Sequence, residues 1–309
     1  MREKNKESTV IGFLFILIPV IFLIIGYYIF PSEQYDNPPF WLNIPMFSGL
    51  LLLLIGVLTK NKIGNILRIL GWVVFSLYWA TQPVKMYATE GGDIFNAVVC
   101  AVGVFVLFYI AYHEWLSYTR EEEVSCLRWL AGASAIAGLI YFGIEKSFMA
   151  DWLIDRVAEQ SAWVLDILVG NASVNPPHIS LDGNSVVTII FACTGIQSFV
   201  IFIGMIGALP KIEWKRRIIG IVVTVIPVYI LNLLRNAMVT FLVGKGITDF
   251  NMAHNIIAKA GSLVALIVLL LIVIKIVPEV FDEIICFTDL YKRKGPIEKI
   301  FTKILGSKK

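Results

Sequence analysis

The 309-residue chain has little charge and few cysteines. Only 16% of its residues are charged, whereas 58% are apolar and the mean hydropathy is +0.78. Because soluble domains usually carry about 25% charged residues, this composition excludes an ordinary soluble protein. The basic residues leave a net charge of +3 and form no stripe with interleaved aromatic residues, so we expect no nucleic-acid partner. The four cysteines have no CxxC spacing, which argues against a zinc knuckle or a disulfide framework: Cys100, Cys126, Cys193 and Cys286.

Most of the chain consists of long apolar segments with few charged residues. Blocks of this length are typical of helices that span a bilayer. The first block follows a short basic tail and is as long as a full span, so we interpret it as a retained first helix and not as a cleaved signal peptide. The sequence therefore predicts an all-α polytopic membrane protein with about eight transmembrane helices, at roughly residues 10–30, 41–59, 66–82, 94–112, 128–145, 186–209, 217–243 and 256–277.

The distribution of Lys and Arg over the linkers predicts the orientation. Basic residues concentrate in the N-terminal tail, in the second, fourth and sixth linkers and in the C-terminal tail. Because short basic loops stay in the cytoplasm, both termini are predicted to be cytoplasmic. The single membrane domain then divides into five N-terminal spans (1–145), an external segment (146–185), a three-span catalytic core (186–277) and a basic cytoplasmic tail (278–309).

The external segment begins with a predicted amphipathic helix. Apolar residues recur at helical spacing over 148–169, but charged residues interrupt them too often for a span. Two roles stay open for this helix, a part of an entrance or lid and a simple interfacial anchor. The turn-rich sequence that follows predicts a short hairpin around Asp182-Gly183. Asn171-Ala172-Ser173 matches a glycosylation acceptor, a triplet that is common by chance.

Polar side chains inside spans are costly, and they mark candidate functional sites. If span six is helical from Asn184, Cys193 lies roughly 10 Å below its outer end. A helical hairpin then returns Arg235 of span seven to the same depth, and His254 lies at the outer end of span eight. The sequence thus predicts that a thiol, a guanidinium and an imidazole meet in the outer leaflet.

These three groups together form a set that can perform acyl transfer. A nearby cation favours the thiolate, which is the nucleophilic form of Cys193. His254 can carry the proton, and Arg235 can hold an oxyanion. Each residue also has a purely structural explanation. Cys193 can be a small buried apolar residue, Arg235 can extend its charge to the outer headgroups, and His254 can cap span eight at the interface. Further candidates for substrate binding or support are Thr194, Gln197, Ser198, Asn232, Asn236 and His178, the last as an alternative base.

Three short motifs resemble the signatures of the exosortase/archaeosortase family, and most of all its archaeosortase A branch. They are ACTGIQS around Cys193, NLLRNA around Arg235 and AHN around His254. The resemblance implies a membrane-embedded cysteine transpeptidase, an enzyme of the thiol-protease kind with its active site on the extracellular side. It assigns Cys193 as the nucleophile, Arg235 as the partner of the thiolate and oxyanion, and His254 as the third member.

The resemblance also implies the substrates. Family members cleave a tripartite C-terminal tail, which consists of a short motif, a transmembrane helix and a basic cluster, from secreted proteins. In the archaeosortase A branch the motif is Pro-Gly-Phe, S-layer glycoproteins are typical substrates, and cleavage is linked to lipid anchoring of the new C-terminus. The expected partners are therefore a membrane-tethered protein and an isoprenoid lipid acceptor, with no metal or other cofactor.

Two functions of other classes remain open. A small-anion transporter or channel would use Arg235 as an anion site, although the sequence has no paired half-repeat or matched broken helices. A membrane S-acyltransferase would load a lipid acyl group onto Cys193. It predicts a lipid-sized thioester, whereas the transpeptidase predicts a protein-sized one.

Overall fold

The computed structural model describes residues 2–29, 40–89 and 94–306. Contacts divide the chain into two compact units, Met1–Ala135 with Glu283–Lys309, and Ile136–Asp282. The first unit holds α1 (Arg2–Ile29), α2 (Asn43–Leu58), α3 (Lys62–Thr89), α4 (Ile94–Arg120), the start of α5 (Ser125–Glu145), the end of α10 (Glu279–Thr288) and α11 (Pro296–Gly306).

The second unit holds the end of α5, the start of α10 and everything between them. Its elements are α6 (Met149–Val169), β1 (Ala172–Asn175), β2 (His178–Leu181), β3 (Asn184–Thr188), α7 (Ile196–Gly207), α8 (Trp214–Gly244), a π-helical segment (Met252–Ala258) and α9 (Lys259–Ile276).

The helical character predicted from the apolar blocks is confirmed, and the chain is a multi-pass membrane protein. Within the part of the chain that the structure describes, six helical stretches are long and apolar enough to cross a bilayer: Val10–Ile29, Lys62–Ala88, Ile94–Arg120, Ser125–Glu145, Trp214–Gly244 and Met252–Ile276. The other two predicted spans contain shorter apolar helices, α2 and α7. The count of eight spans and the cytoplasmic termini stay predictions.

The prediction of one continuous helix over 186–209 is wrong. Residues Asn184–Thr188 form β3, a 3₁₀ turn covers Phe191–Thr194, and α7 begins only at Ile196. A run rich in β-branched residues fits a strand as well as a span, and apolarity alone does not distinguish them. The 12 residues of α7 rise about 18 Å, well short of a bilayer core. Cys193 therefore lies in a turn above a short helix, and not 10 Å down a long one.

Within the first unit, α3 packs against α1, α2 and α4. Gly26 permits the approach of α1 to α3, because a Cβ there would collide with the carbonyl oxygen of Ala80. Small residues allow membrane helices to come this close. A buried ion pair also joins two of these helices, with Arg68 Nε donating to Glu114 Oε1 at 2.6 Å.

The cysteine spacing argues against a disulfide framework, but the structure contains a disulfide between two distant cysteines. Cys126 of α5 and Cys286 of α10 form a disulfide, with their Cα atoms 5.8 Å apart, whereas Cys100 and Cys193 form none. The bonded residues are separated by 160 positions in the sequence. Only the packing of the first unit brings them together, so local spacing could not reveal the pair.

The second unit contains a small antiparallel sheet beside α6 and α8. Its strand order is β1-β2-β3, and Asp182-Gly183 forms the turn between β2 and β3, which confirms the predicted hairpin. The third strand, β1, was not predicted. Lys245, just after α8, donates to Asp182 Oδ2 at 2.7 Å and ties this turn to the end of α8.

The predicted amphipathic helix is present as α6. Its small and apolar face, with Ala158, Ala162 and Leu165, is buried in the same cluster as Cys193. Trp152 and Trp163 are exposed on the other side. One face of α6 therefore packs against the residues around Cys193, and the opposite face is exposed.

Candidate active site

A tight turn positions Cys193 at the start of α7. Its backbone N–H donates to Ile190 O at 2.8 Å and closes the 3₁₀ turn. Gly195 then adopts φ +79° and ψ −1°, the left-handed conformation that glycine adopts readily. A Cβ at this glycine would lie 3.0 Å from Asn232 Cγ, so the turn presses directly on α8. Cys193 itself is only 7% exposed.

Two amides of α8 hold the carbonyl oxygen of Cys193. Asn232 Nδ2 donates to it at 2.9 Å and Asn236 Nδ2 at 3.1 Å. Residues four apart share a helix face, so these donors come from successive turns of α8. Asn236 Nδ2 also lies 3.3 Å from Ser161 Oγ of α6. The peptide unit of Cys193 is thus fixed from two helices.

Arg235 lies between these two asparagines in the sequence and interacts electrostatically with Cys193. Its Nε is buried and has no hydrogen-bond acceptor among the described residues. A buried donor without a partner is costly, and in a native protein it needs an explanation. A ligand oxygen that accepts from this N–H would supply one.

A cavity of about 480 Å³ adjoins Arg235 in the second unit. Its walls are mostly apolar side chains of α8, α9 and the end of α6. The polar side chains of the lining are those of Ser198, Asn232, Arg235 and Ser262. An apolar cavity with few convergent polar groups is the usual form of a binding site for an apolar ligand.

His254 lies in the π-helical segment before α9. Its ring stacks on that of Phe250, with centroids 5.0 Å apart, and its neighbour Ala253 is buried in the same cluster as Cys193. Short π-helical segments occur frequently at functional sites. Each of the three motifs thus contributes residues to the hydrophobic cluster that contains Cys193. The hydrogen bonds of Cys193 to another motif are those to Asn232 and Asn236 of α8.

The other sequence candidates lie in different surroundings. Thr194 Oγ1 donates to Phe191 O at 2.7 Å and stabilises the turn, and Gln197 Nε2 donates to Tyr141 OH of α5 at 3.2 Å. Ser198 lines the cavity. His178 is exposed on β2, where its Nδ1 lies 2.9 Å from Thr188 Oγ1 of β3.

Sequence reasoning missed Ser161 and Gly195. Ser161 lies in a segment assigned to the membrane surface, and its small neighbours Ala158 and Ala162 are the signal that this face packs closely against another element. Gly195 follows Cys193-Thr194 directly, and a glycine inside an apolar run is a sign of a turn.

Comparison with known proteins agrees with the three motifs. A family model described as "Transmembrane exosortase" matches residues 10–274. A protein named Archaeosortase A from Haloferax volcanii is 24% identical over 263 residues, which cover 72% of this chain and 84% of that relative. A protein of the same name from Natronomonas pharaonis is 24% identical over 245 residues, which cover 68% of this chain and 75% of that relative. No solved structure matches the chain significantly.

Proposed function

Because the chain belongs to the transmembrane exosortase family, we propose that it is a membrane-embedded cysteine transpeptidase that acts through Cys193. One observation carries the proposal. Cys193, whose backbone carbonyl oxygen accepts from two amides, interacts electrostatically with the half-buried Arg235, and the buried Nε of Arg235 has no acceptor among the described residues. This arrangement provides a nucleophile and an unused donor for a developing oxyanion.

The reaction assigns a role to each member of the site. Cys193 Sγ attacks the scissile carbonyl carbon while its proton passes to His254, and Arg235 stabilises the oxyanion. The C–N bond then breaks, His254 returns the proton to the leaving amine, and a thioester remains on Cys193. An acceptor nucleophile attacks the thioester, forms the new bond at the carbonyl carbon and releases the thiolate, which regains a proton.

The apolar cavity suits a substrate that arrives within the bilayer. We assign to this protein the substrates that the family resemblance of its motifs implies. These are secreted proteins, such as S-layer glycoproteins, with a Pro-Gly-Phe motif, a transmembrane helix and a basic cluster at their C-terminus. The apolar walls would also receive the chain of an isoprenoid lipid acceptor while excluding water, which favours transfer over hydrolysis.

The test is tail removal from a reporter that ends in a Pro-Gly-Phe motif, a span and a basic cluster. The reporter is co-expressed with wild type, Cys193→Ala or Cys100→Ala, and its mass and membrane partitioning are measured. Cys100 is the matched control, since it is also buried and also forms no disulfide. We expect wild type and Cys100→Ala to remove the tail and Cys193→Ala to leave it intact.

Arg235→Gln provides a second variant in the same assay. Loss of one oxyanion donor typically lowers a rate by about 10²–10³-fold, and we expect a loss of that order. Tail removal by Cys193→Ala, or an intact tail with wild type, would overturn the assignment.

A further inference from the structure

A second cluster of reactive side chains lies in the first unit, apart from the motifs of the proposed site. Cys126 Sγ, Cys286 Sγ and a carboxylate oxygen of Glu283 all lie within 4.8 Å of one another. Cys126 is fully buried near the start of α5, whereas Glu283 and Cys286 are three residues apart on α10 and therefore share a helix face. Three groups of this kind, from two helices, are a possible ligand set.

The buried carboxylate distinguishes this cluster from a simple crosslink. Glu283 is only 8% exposed. Its carboxylate oxygen and the two sulfur atoms are close enough to bind one divalent cation, and buried carboxylates are commonly paired with cations or coordinate metals.

The chemistry of the set favours a soft or borderline metal. Two thiolates and one carboxylate are ligands that Zn²⁺ accepts, with a water molecule completing a tetrahedral site. Both cysteines also fall on the predicted cytoplasmic side, next to basic linkers and tail. In that compartment cysteine pairs are usually kept reduced. The dithiol is then the form available to a metal.

We propose that Cys126, Cys286 and Glu283 form a zinc site when the Cys126–Cys286 disulfide is reduced. A cellular thiol reductant supplies two electrons and two protons, which convert the disulfide into two thiols. Zinc binding then releases the two thiol protons to solvent and forms two Zn–S bonds and one Zn–O bond. The ion fastens α10, from which the C-terminal segment continues, to α5.

The test measures zinc in the full-length protein purified in detergent. The protein is reduced with a phosphine, loaded with zinc, passed over a chelating resin and analysed for zinc per chain by mass spectrometry. Reduced wild type is expected to retain one zinc, whereas air-oxidised wild type retains none because the disulfide consumes both thiols. This comparison uses an unchanged chain, so it does not depend on how a variant folds.

Substitutions then identify the ligands. We expect Cys286→Ala to lose the ion and Glu283→Gln to bind it roughly tenfold or more weakly. Cys100→Ala and Glu279→Gln are the matched controls, and we expect both to keep full occupancy. Cys100 is a buried cysteine outside the cluster, and Glu279 is a second carboxylate of α10 that pairs with Arg216. Cobalt in place of zinc gives a thiolate-to-metal absorption band as an independent readout.

The proposal is overturned if reduced wild type retains no more zinc than Cys286→Ala, or if the oxidised protein retains as much as the reduced one. It is equally overturned if Glu283→Gln binds zinc as tightly as wild type. None of these measurements uses tail removal, so they are independent of the function proposed for Cys193.

Discussion

At the scale of single residues, the two asparagines that flank Arg235 explain how a cysteine in a turn can be held still. The carbonyl oxygen of Cys193 accepts from Asn232 and from Asn236, so its peptide plane has little freedom. A nucleophile gains in rate when its attack geometry is fixed before the substrate arrives. The asparagines are positioning residues in this account, since they contact the backbone of Cys193.

The first prediction concerns Asn232→Leu, which keeps a similar volume and removes the amide. Leaving a buried polar group short of a partner costs about 1–3 kcal/mol. We expect kcat for tail removal to fall roughly tenfold or more, with KM nearly unchanged, because orientation and not binding is lost. Thr224→Val is the control, since Thr224 lies in α8, is buried and bonds only to carbonyls of its own helix among the described residues. An equal loss in both variants would mean that general damage to α8 is responsible.

Much of the site at this scale was predictable from polarity. Cys193, Arg235, Asn232 and Asn236 stand out because polar groups in apolar blocks are rare. The bond between the asparagines and the carbonyl of Cys193 was not predictable, since it depends on the turn at Gly195. Thr194 and Gln197 were grouped with the site by proximity in sequence, yet their side chains bond to Phe191 and Tyr141.

At the scale of elements, the turn between β3 and α7 presents the thiol to α8. Gly195 is its critical residue, because it combines a positive φ with a close approach to Asn232. Gly246 also has a positive φ, of +67°, but a Cβ there would meet nothing within 4 Å. A comparison of substitutions at Gly195 and Gly246 therefore distinguishes the effect of backbone strain from the effect of a steric clash with Asn232.

The second prediction compares Gly195→Ala with Gly246→Ala. Each forces alanine into the left-handed region, at a cost of about 1–2 kcal/mol, so both should lower the thermal unfolding temperature by a similar small amount. Only Gly195→Ala pushes on Asn232, so we expect it alone to lose most of its tail-removing activity. If Gly246→Ala loses as much activity, the turn at Gly195 has no special role.

A second element-scale feature is the anchor of α11 in the first unit. The carboxylate of Glu298 accepts from Tyr109 OH and Tyr112 OH, both at 2.9 Å, and lies 3.3 Å from His113 Nε2. Burial raises the pKa of Glu298, but the nearby imidazole of His113, its own backbone N–H and the hydrogen bonds from the two tyrosines outweigh burial and hold that pKa at about 2.

The third prediction follows from this depressed pKa. A carboxyl whose folded pKa lies below its ordinary value of 4.5 stabilises the fold above that value and loses the contribution as pH falls toward 2. We expect hydrogen exchange in 296–306 to accelerate relative to the rest of the first unit as pH drops from 6 to 3. Glu298→Gln should exchange quickly at pH 6 and show little further change. A pH response equal to wild type in Glu298→Gln would assign the effect to another group.

The elements show where apolar patterning is sufficient and where it is not. All eight apolar blocks contain a helix because their length and composition allow few alternatives. The start of α7 was predicted wrongly because the apolar block 186–209 begins with β-branched residues. These residues belong to β3 and not to the helix. The hairpin was predicted because Asp182-Gly183 has the chemistry of a tight turn.

At the scale of the whole molecule, the predicted orientation makes the site extracellular and the zinc cluster cytoplasmic. That prediction rests on the distribution of Lys and Arg alone. Ser173 of β1 and Lys215 near the start of α8 are both exposed and lie on opposite predicted sides.

The fourth prediction tests this orientation with Ser173→Cys and Lys215→Cys, each combined with Cys193→Ala. A membrane-impermeant maleimide should label the cysteine at 173 in intact cells and the one at 215 only after permeabilisation. Labelling of both after lysis shows that each position is reactive. The reverse pattern in intact cells would place the site on the cytoplasmic side.

Long-range pairing is what the sequence could not reveal at this scale. The bond between Cys126 and Cys286, the pair of Arg68 and Glu114, and the contact of Ser161 with Asn236 all join residues far apart in the chain. Each depends on how helices pack, and helix packing follows the shapes of whole surfaces and not a local pattern.

The most direct test of the central claim is the mass of the group carried by Cys193 during turnover. Wild type and Cys100→Ala are mixed with the tailed reporter, quenched in acid and digested, and the peptide that contains Cys193 is analysed by mass spectrometry. We expect a hydroxylamine-sensitive adduct on Cys193 whose mass is that of the reporter segment that ends at the cleavage site. We expect no such adduct in Cys193→Ala. A lipid-sized adduct would identify an S-acyltransferase, and tail removal without any adduct would contradict a thioester on Cys193.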